Sequence, residues 1–190
     1  MTNKVKIAIF ASGSGSNFAA LEKACYVGGI PAEVVLLVTD RPDAFVTERA
    51  KQAGIPVAAF RPRDFDSKEM YEQAVWKRLQ DVQAEWLILA GYMRLIGPVL
   101  LGAYPERIVN IHPSLLPSFP GKDAIGQAVS AGVKITGVTV HIVDEGMDTG
   151  PILAQCAVHV VEEDPDKTAA AIHKAEHELY AETLKNLFEK

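Results

Sequence analysis

Cysteine is scarce in this chain: only Cys25 and Cys156 occur among 190 residues. Two thiols that no motif joins do not make a disulfide framework, so both read as small buried side chains. No run is long or apolar enough to span a bilayer, and no signal peptide precedes the first apolar strand. Excess positive charge is missing as well, the formal net charge being -5. That balance argues against a broad nucleic-acid or membrane surface and leaves room for a local basic pocket. Gly-Lys-Ser/Thr does not occur, which excludes a P-loop. Repeats, low-complexity tracts and dividing linkers are absent too. What is left is a cytoplasmic enzyme or binding protein forming one domain over 1–190. Its 48% hydrophobic and 23% charged residues are ordinary for a globular chain able to bury a substantial core.

Apolar runs suited to buried strands alternate with longer helical patterns. Residues 5–10, 34–38, 57–60, 86–90 and 107–111 predict strands, and 17–27, 44–53 and 67–80 predict helices. The first helix ends at Gly28-Gly29, a C-cap followed by a turn. Two later strands, 135–143 and 152–160, are joined by a linker short enough for an antiparallel pair. Asp164-Pro165 then suits the N-cap and first position of a helix running to about residue 187. The expected fold is α/β and Rossmann-like. It has an open, mostly parallel sheet with helices on both faces and an antiparallel C-terminal strand pair.

The run Val109-Asn110-Ile111-His112-Pro113-Ser114-Leu115-Leu116-Pro117 holds the densest chemistry. On a strand, Asn110 and His112 share one face, at the carboxyl end where open α/β sheets place ligands. An uncharged amide donor beside a titratable ring suits chemistry that builds negative charge on a carbonyl oxygen. The same pair also serves as a common structural hydrogen-bonding couple. Leu116-Pro117 is a candidate cis bond at the rim of this site.

Upstream, Ser12-Gly13-Ser14-Gly15-Ser16-Asn17 joins the first strand to a helix. Three readings stay open there: a phosphate-sized anion site on the helix N–H groups, a plain tight turn, or a dinucleotide site. The last is opposed by Phe18, where a dinucleotide fingerprint wants glycine or alanine, although Asp40 stands where a ribose-binding acid would. Downstream lies the acidic turn Asp144-Glu145-Gly146-Met147-Asp148-Thr149-Gly150. A carboxylate at Asp148 meeting His112 would stabilise an imidazolium, while the bland alternative is a solvated Asp-Gly turn; calcium-loop spacing is missing. His173-Lys174-Ala175-Glu176-His177 formally matches a zinc-binding pattern but has little chain after it for a further acidic ligand. An amphipathic helix or a substrate contact suits it better than a metal, and His159 reads as structural.

Taken together these motifs resemble the phosphoribosylglycinamide (GAR) formyltransferase family of folate-dependent enzymes. The likeness spans nearly the whole chain: the loop from Ser12 to Asn17, Leu89-Ala90-Gly91-Tyr92-Met93-Arg94, the run from Asn110 to Pro117, and the turn ending at Asp148. The resemblance implies that Gly15, Ser16 and Asn17 hold the GAR phosphate and that Glu176 contacts its ribose region. It implies that Met93, Arg94, Leu95 and Ile96, with Asn110 and Asp144, Glu145, Gly146 and Met147, line the folate pocket. Lys68 stands at the folate end where relatives carry arginine, keeping the charge without the planar fork. His173 replaces a glutamine of some relatives, and 122–127 lacks the histidines that some members carry.

The implied reaction is attack by the neutral GAR amine on the formyl carbon of 10-formyltetrahydrofolate, with Asn110 and protonated His112 stabilising a tetrahedral oxyanion. Asp148 would support His112 and a proton-shuttling water, without a metal. The partners implied are GAR and folate, with no nucleic acid and no membrane, in a monomer or homodimer. Competing expectations are a formyltransferase acting on tRNA, a formyltetrahydrofolate hydrolase, a nicotinamide-dependent oxidoreductase, and a non-catalytic nucleotide-binding module.

Overall fold

Among the described residues, aliphatic and β-branched runs bounded by turns form seven strands in one sheet. They are β1 (Val5–Phe10), β2 (Ala32–Thr39), β3 (Val57–Ala59), β4 (Trp86–Leu89), β5 (Ile108–His112), β6 (Ile135–Ile142) and β7 (Ile152–His159). The computed structural model describes residues 4–161 and 164–189, so residues 1–3, 162–163 and Lys190 of the expected 1–190 unit lie outside the described residues. Spatial order is β3-β2-β1-β4-β5-β6-β7. All pairings from β3 through β5 are parallel. The expected antiparallel pair β6–β7 is present, and antiparallel pairing begins one strand earlier, because β6 also runs against β5.

Helices α1 (Ser16–Tyr26), α2 (Val46–Gln52), α3 (Lys68–Asp81), α4 (Pro98–Ala103), α5 (Ala124–Ser130) and α6 (Pro165–Phe188) cover both faces. Alternation along β1 shows why two cores form. Ile7 and Ile9 pack with Phe18 and Leu21 of α1 and Ile172 of α6, whereas Ala8 and Phe10 pack with Tyr71 and Val75 of α3. Helix ends follow the local chemistry. At the end of α1, Gly28 takes φ +78 and the Gly29 N–H donates to Ala24 O at 2.8 Å. Ser67 caps α3, and Asp164 caps α6 with Pro165 in its first turn. The sequence pattern does not predict α4 and α5, helices of six and seven residues. Among the described residues no helix is long and apolar enough to cross a membrane.

The cysteine expectation needs a correction. Cys25 is buried, and burial pushes its thiol up to about 11, but Cys156 sits half-buried on the last strand in the sheet order, where one side has no neighbouring strand to cover it. His159 is exposed at the end of the same strand.

Tyr180 fastens α6 to the sheet. It is fully buried, and its hydroxyl donates to Leu89 O at 2.9 Å and Val109 O at 3.0 Å, sharing one proton between β4 and β5. Burial raises this phenol well above its ordinary 10, so it acts as a neutral donor. Tyr180→Phe keeps the packing and leaves the two carbonyls without their donor. We expect a loss of about 1–3 kcal/mol, read as a lower urea midpoint at unchanged m-value; an unchanged midpoint would reject the role.

Candidate active site

Strand β5 ends by turning Asn110 and His112 to the same side, with Ile111 between them facing the α1/α6 core. The antiparallel register sets His141 of β6 opposite Asn110 and Thr139 opposite His112. His112 is 5% exposed. Its Nε2 lies 2.9 Å from Phe119 O and its Nδ1 lies 3.4 Å from Asp148 Oδ2. Phe119 O can only accept, so Nε2 donates to it, while the Asp148 carboxylate stands at ion-pair distance from Nδ1. The meeting of Asp148 with His112 is therefore present in the fold.

His141 is the participant that sequence reasoning missed. Its Nδ1 donates to Ile142 O at 2.8 Å, which leaves Nε2 to accept from Asn110 Nδ2 at 3.2 Å. The second oxygen of Asp148 approaches the same ring, with Oδ1 3.7 Å from Nε2. One carboxylate thus bridges two imidazoles. Asp148 takes a left-handed backbone, φ 56, which short polar side chains tolerate, and its Oδ2 also accepts from Gly121 N–H at 2.8 Å. Burial alone would raise this carboxyl. The adjoining His141, the Gly121 N–H and His112 outweigh burial and hold it below its ordinary 3.8.

The loop after β5 is fixed from beneath. Thr139 Oγ1 donates to Ser114 O at 2.7 Å and accepts from Leu116 N–H at 3.0 Å, while Gln155 Nε2 reaches both Leu116 O and Thr139 Oγ1. The Leu116-Pro117 bond in this loop is cis, as its sequence position suggested. In the acidic turn, Asp144 Oδ1 accepts from Gly146 N–H at 3.0 Å and Thr149 Oγ1 at 2.6 Å. Glu145 and Met147 beside it are exposed, and the Met147 sulfur lies over Gly121. Where 122–127 lacks histidines, Asp123 caps α5 and Gln127 Nε2 reaches Pro120 O and Lys122 O.

The glycine-rich loop delivers an open helix start. Gly15, at φ 76, begins α1 without any side-chain cap, and a Cβ there would strike Val46 at 2.4 Å. The N–H groups of this first turn are therefore unclaimed by a cap and suited to an anion. Asn17 is buried with its Oδ1 unpartnered, and its Nδ2 faces Glu176 Oε2 at 3.5 Å. His173 Nδ1 meets that same oxygen at 2.8 Å, so the α6 motif is engaged with the loop. Among the described residues no group of three or more His, Cys, Asp or Glu is placed to hold a metal ion.

Asp40 does not stand free as a ribose-binding acid would. Its Oδ1 accepts from Ser12 Oγ at 2.5 Å, and Ser12 Oγ in turn accepts from Met93 N–H at 2.9 Å. Beyond Met93 the chain exposes Leu95, buries Ile96 and lays the Arg94 guanidinium over the Tyr71 ring at 5.4 Å. The stem of Lys68, first residue of α3, packs against Gly97 at the end of this segment. A concavity of about 670 Å³ bounded by Trp76, Trp86 and Tyr104 lies at the opposite ends of the strands and includes none of these groups.

Comparison with known proteins identifies relatives of this chain. The formyl transferase family model matches residues 5–184. A phosphoribosylglycinamide formyltransferase of Bacillus subtilis is 52% identical over 183 residues, covering 96% of this chain and 94% of that relative. The solved structure of glycinamide ribonucleotide transformylase 1 from Geobacillus kaustophilus superposes with a TM-score of 0.94 at 55% identity, covering 97% of this chain and 98% of that one. A phosphoribosylglycinamide formyltransferase structure from Bacillus halodurans gives 0.95 at 55% identity, covering 97% and 96%.

The lowered Asp148 carboxyl carries a pH signature. A depressed folded value stabilises the fold above the ordinary 3.8 and loses that contribution as pH falls through the folded value. Wild type should therefore lose thermal stability more steeply than Asp148→Asn as pH is lowered from about 5 to about 3. Parallel losses in the two proteins would contradict the assignment.

Proposed function

The chain belongs to the formyl transferase family, and from that membership we propose that it carries the formyl group of 10-formyltetrahydrofolate to the amine of phosphoribosylglycinamide, a step of purine biosynthesis. The observation that carries this reading is the cluster at the end of β5. An imidazole between two acceptors stands on the same strand face as an amide donor. A second support is the uncapped start of α1, which offers N–H groups to a phosphate.

The neutral amine of GAR attacks the formyl carbon, and negative charge develops on the formyl oxygen. Asn110, oriented by His141, and His112, cationic beside Asp148, supply donors to that oxygen. The proton that His112 Nε2 shares with Phe119 O is the one offered to the oxyanion. Collapse breaks the bond between the formyl carbon and N10 of the folate, forms the amide of formyl-GAR, and leaves the displaced nitrogen with the proton lost by the amine. Asp148, with its lowered carboxyl, stays anionic and keeps the imidazolium in place.

Gly15, Ser16 and Asn17 hold the GAR phosphate, and Glu176, with His173 at its Oε2, contacts the ribose region. Met93, Arg94, Leu95 and Ile96, with Asp144, Glu145, Gly146 and Met147, line the folate side, and Lys68 meets the carboxylate end of the folate. All of this belongs to one catalytic unit working in the cytoplasm as a monomer or homodimer, with no part for nucleic acid or membrane.

A single assay tests the reading: folate product formation with and without GAR. We expect turnover only with GAR, falling by about 10²–10⁴-fold in His112→Ala and about 10²–10³-fold in Asn110→Ala. Turnover without GAR would indicate hydrolysis instead. No turnover in the wild type, together with binding of NAD(P)H, would overturn the formyl transfer assignment.

A further inference from the structure

The segment from Gly91 to Gly97 leaves the end of β4 beside the catalytic strand, since Leu89 is in register with Asn110. It forms no helix or strand of its own, and Met93 and Leu95 stand exposed on it. Such a segment holds one shape only if its ends are fixed.

Both ends are fixed, and by acids that no substrate role accounts for. At the first end, Met93 N–H donates to Ser12 Oγ at 2.9 Å, and Asp40 accepts the Ser12 proton at 2.5 Å. Because Asp40 takes that proton, Ser12 turns a lone pair toward Met93. Ser12 is 2% exposed and its own N–H donates to Gly91 O, which ties the segment to the β1 loop twice. At the other end, Glu72 of α3 is also 2% exposed. One of its oxygens accepts from Gly97 N–H and the other faces Leu100 N–H at 3.4 Å. Gly97 is the N-cap of α4 and has no side chain with which to cap, so the Glu72 carboxylate does this from a different helix. A Cβ on Gly97 would meet that carboxylate at 2.8 Å, so the glycine is required for space, its φ of -105 being open to any residue.

We propose that Glu72 and the Asp40–Ser12 pair are positioning residues that clamp the two ends of the 93–97 segment in the shape that receives the folate. This rests on the reading of that segment as the folate side of the site. Neither acid touches the reacting atoms; each acts through a backbone N–H. The clamp assigns a purpose to a buried carboxylate on α3 that the catalytic cluster does not use. The effect of Glu72 belongs to folate binding, since Glu72 lies on the face of the sheet opposite α1 and α6, which carry the GAR contacts.

The test compares Glu72→Ala, Glu72→Gln, Asp40→Asn and Gly97→Ala with wild type, in steady-state kinetics and in amide hydrogen exchange across 92–100. Glu72→Ala should raise the KM for 10-formyltetrahydrofolate about tenfold, with less than about a twofold change in KM for GAR. Glu72→Gln, which keeps one acceptor oxygen, should fall between Glu72→Ala and wild type. Exchange at the Gly97 amide should speed up by about tenfold in Glu72→Ala. Equal rises in both KM values, or faster exchange with an unchanged folate KM, would overturn the proposal. If Glu72→Ala does not fold, Glu72→Gln and Gly97→Ala carry the same comparison, while Asp40→Asn is read by exchange at the Met93 amide. A wild type with no GAR-dependent transfer would refute the function instead, and unchanged exchange in the variants would then refute the clamp on its own.

Discussion

The register of β6 against β5 is the constraint on which the chemistry depends. Side chains alternate along both strands, so pairing Asn110 with His141 and His112 with Thr139 puts all four on defined sides of one seam. A slip of one residue would replace Asn110 and His112 by Ile111 at the site and turn the polar pair into the core. The apolar partners enforce the register: Val109, Ile111, Val138 and Val140 belong to the α1/α6 core and cannot face water without loss. Packing energy on one face of the sheet thereby sets donor and acceptor positions on the other.

From that seam the remaining parts are placed by short backbone contacts. Thr139, opposite His112, holds the cis-proline loop through Ser114 and Leu116, and the same loop returns the Phe119 carbonyl to His112. Gly121 N–H then reaches Asp148, so the acidic turn is tied to the loop it faces. On the far side, Ser12 links the glycine-rich loop after β1 to the segment after β4. The regions proposed to hold the two substrates therefore share a hydrogen-bonded wall, which favours the fixed mutual orientation that a transfer between two bound molecules needs.

Much of this is legible in the sequence, and the boundary of legibility is physical. The strand alternation, the Gly28 and Asp164 helix ends and the polar face of Asn110 and His112 follow from local periodicity and capping chemistry. His141 is not legible in the same way, because an ordinary residue on a buried strand acquires a role only through its cross-strand partner. The pairing depends on β6 running against β5, and the local signal is one histidine among the aliphatic residues and threonines of that strand. Asp40 illustrates the reverse: its place after β2 suggests a ribose contact, yet Ser12 occupies its Oδ1. Glu72 looks like one more solvated acid on an amphipathic helix, and only the approach of α4, which the sequence pattern does not predict, buries it.

The two histidines of the cluster show how neighbours divide labour between identical side chains. His141 gives one nitrogen to a carbonyl and receives an amide N–H at the other, a donor-acceptor pair that a neutral ring satisfies completely. His112 faces acceptors at both nitrogens, Phe119 O in a hydrogen bond at Nε2 and the Asp148 carboxylate 3.4 Å from Nδ1. Asp148 lies between them with one oxygen toward each, 3.4 Å from His112 Nδ1 and 3.7 Å from His141 Nε2, and both rings help to hold its carboxyl low. Exchanging the hydrogen-bond partners would exchange the roles: the ring beside Asn110 receives an amide N–H, and the ring beside Phe119 O donates to a carbonyl. The distinction comes from partner chemistry rather than from burial, because both rings are almost equally enclosed, at 5% and 2% exposure.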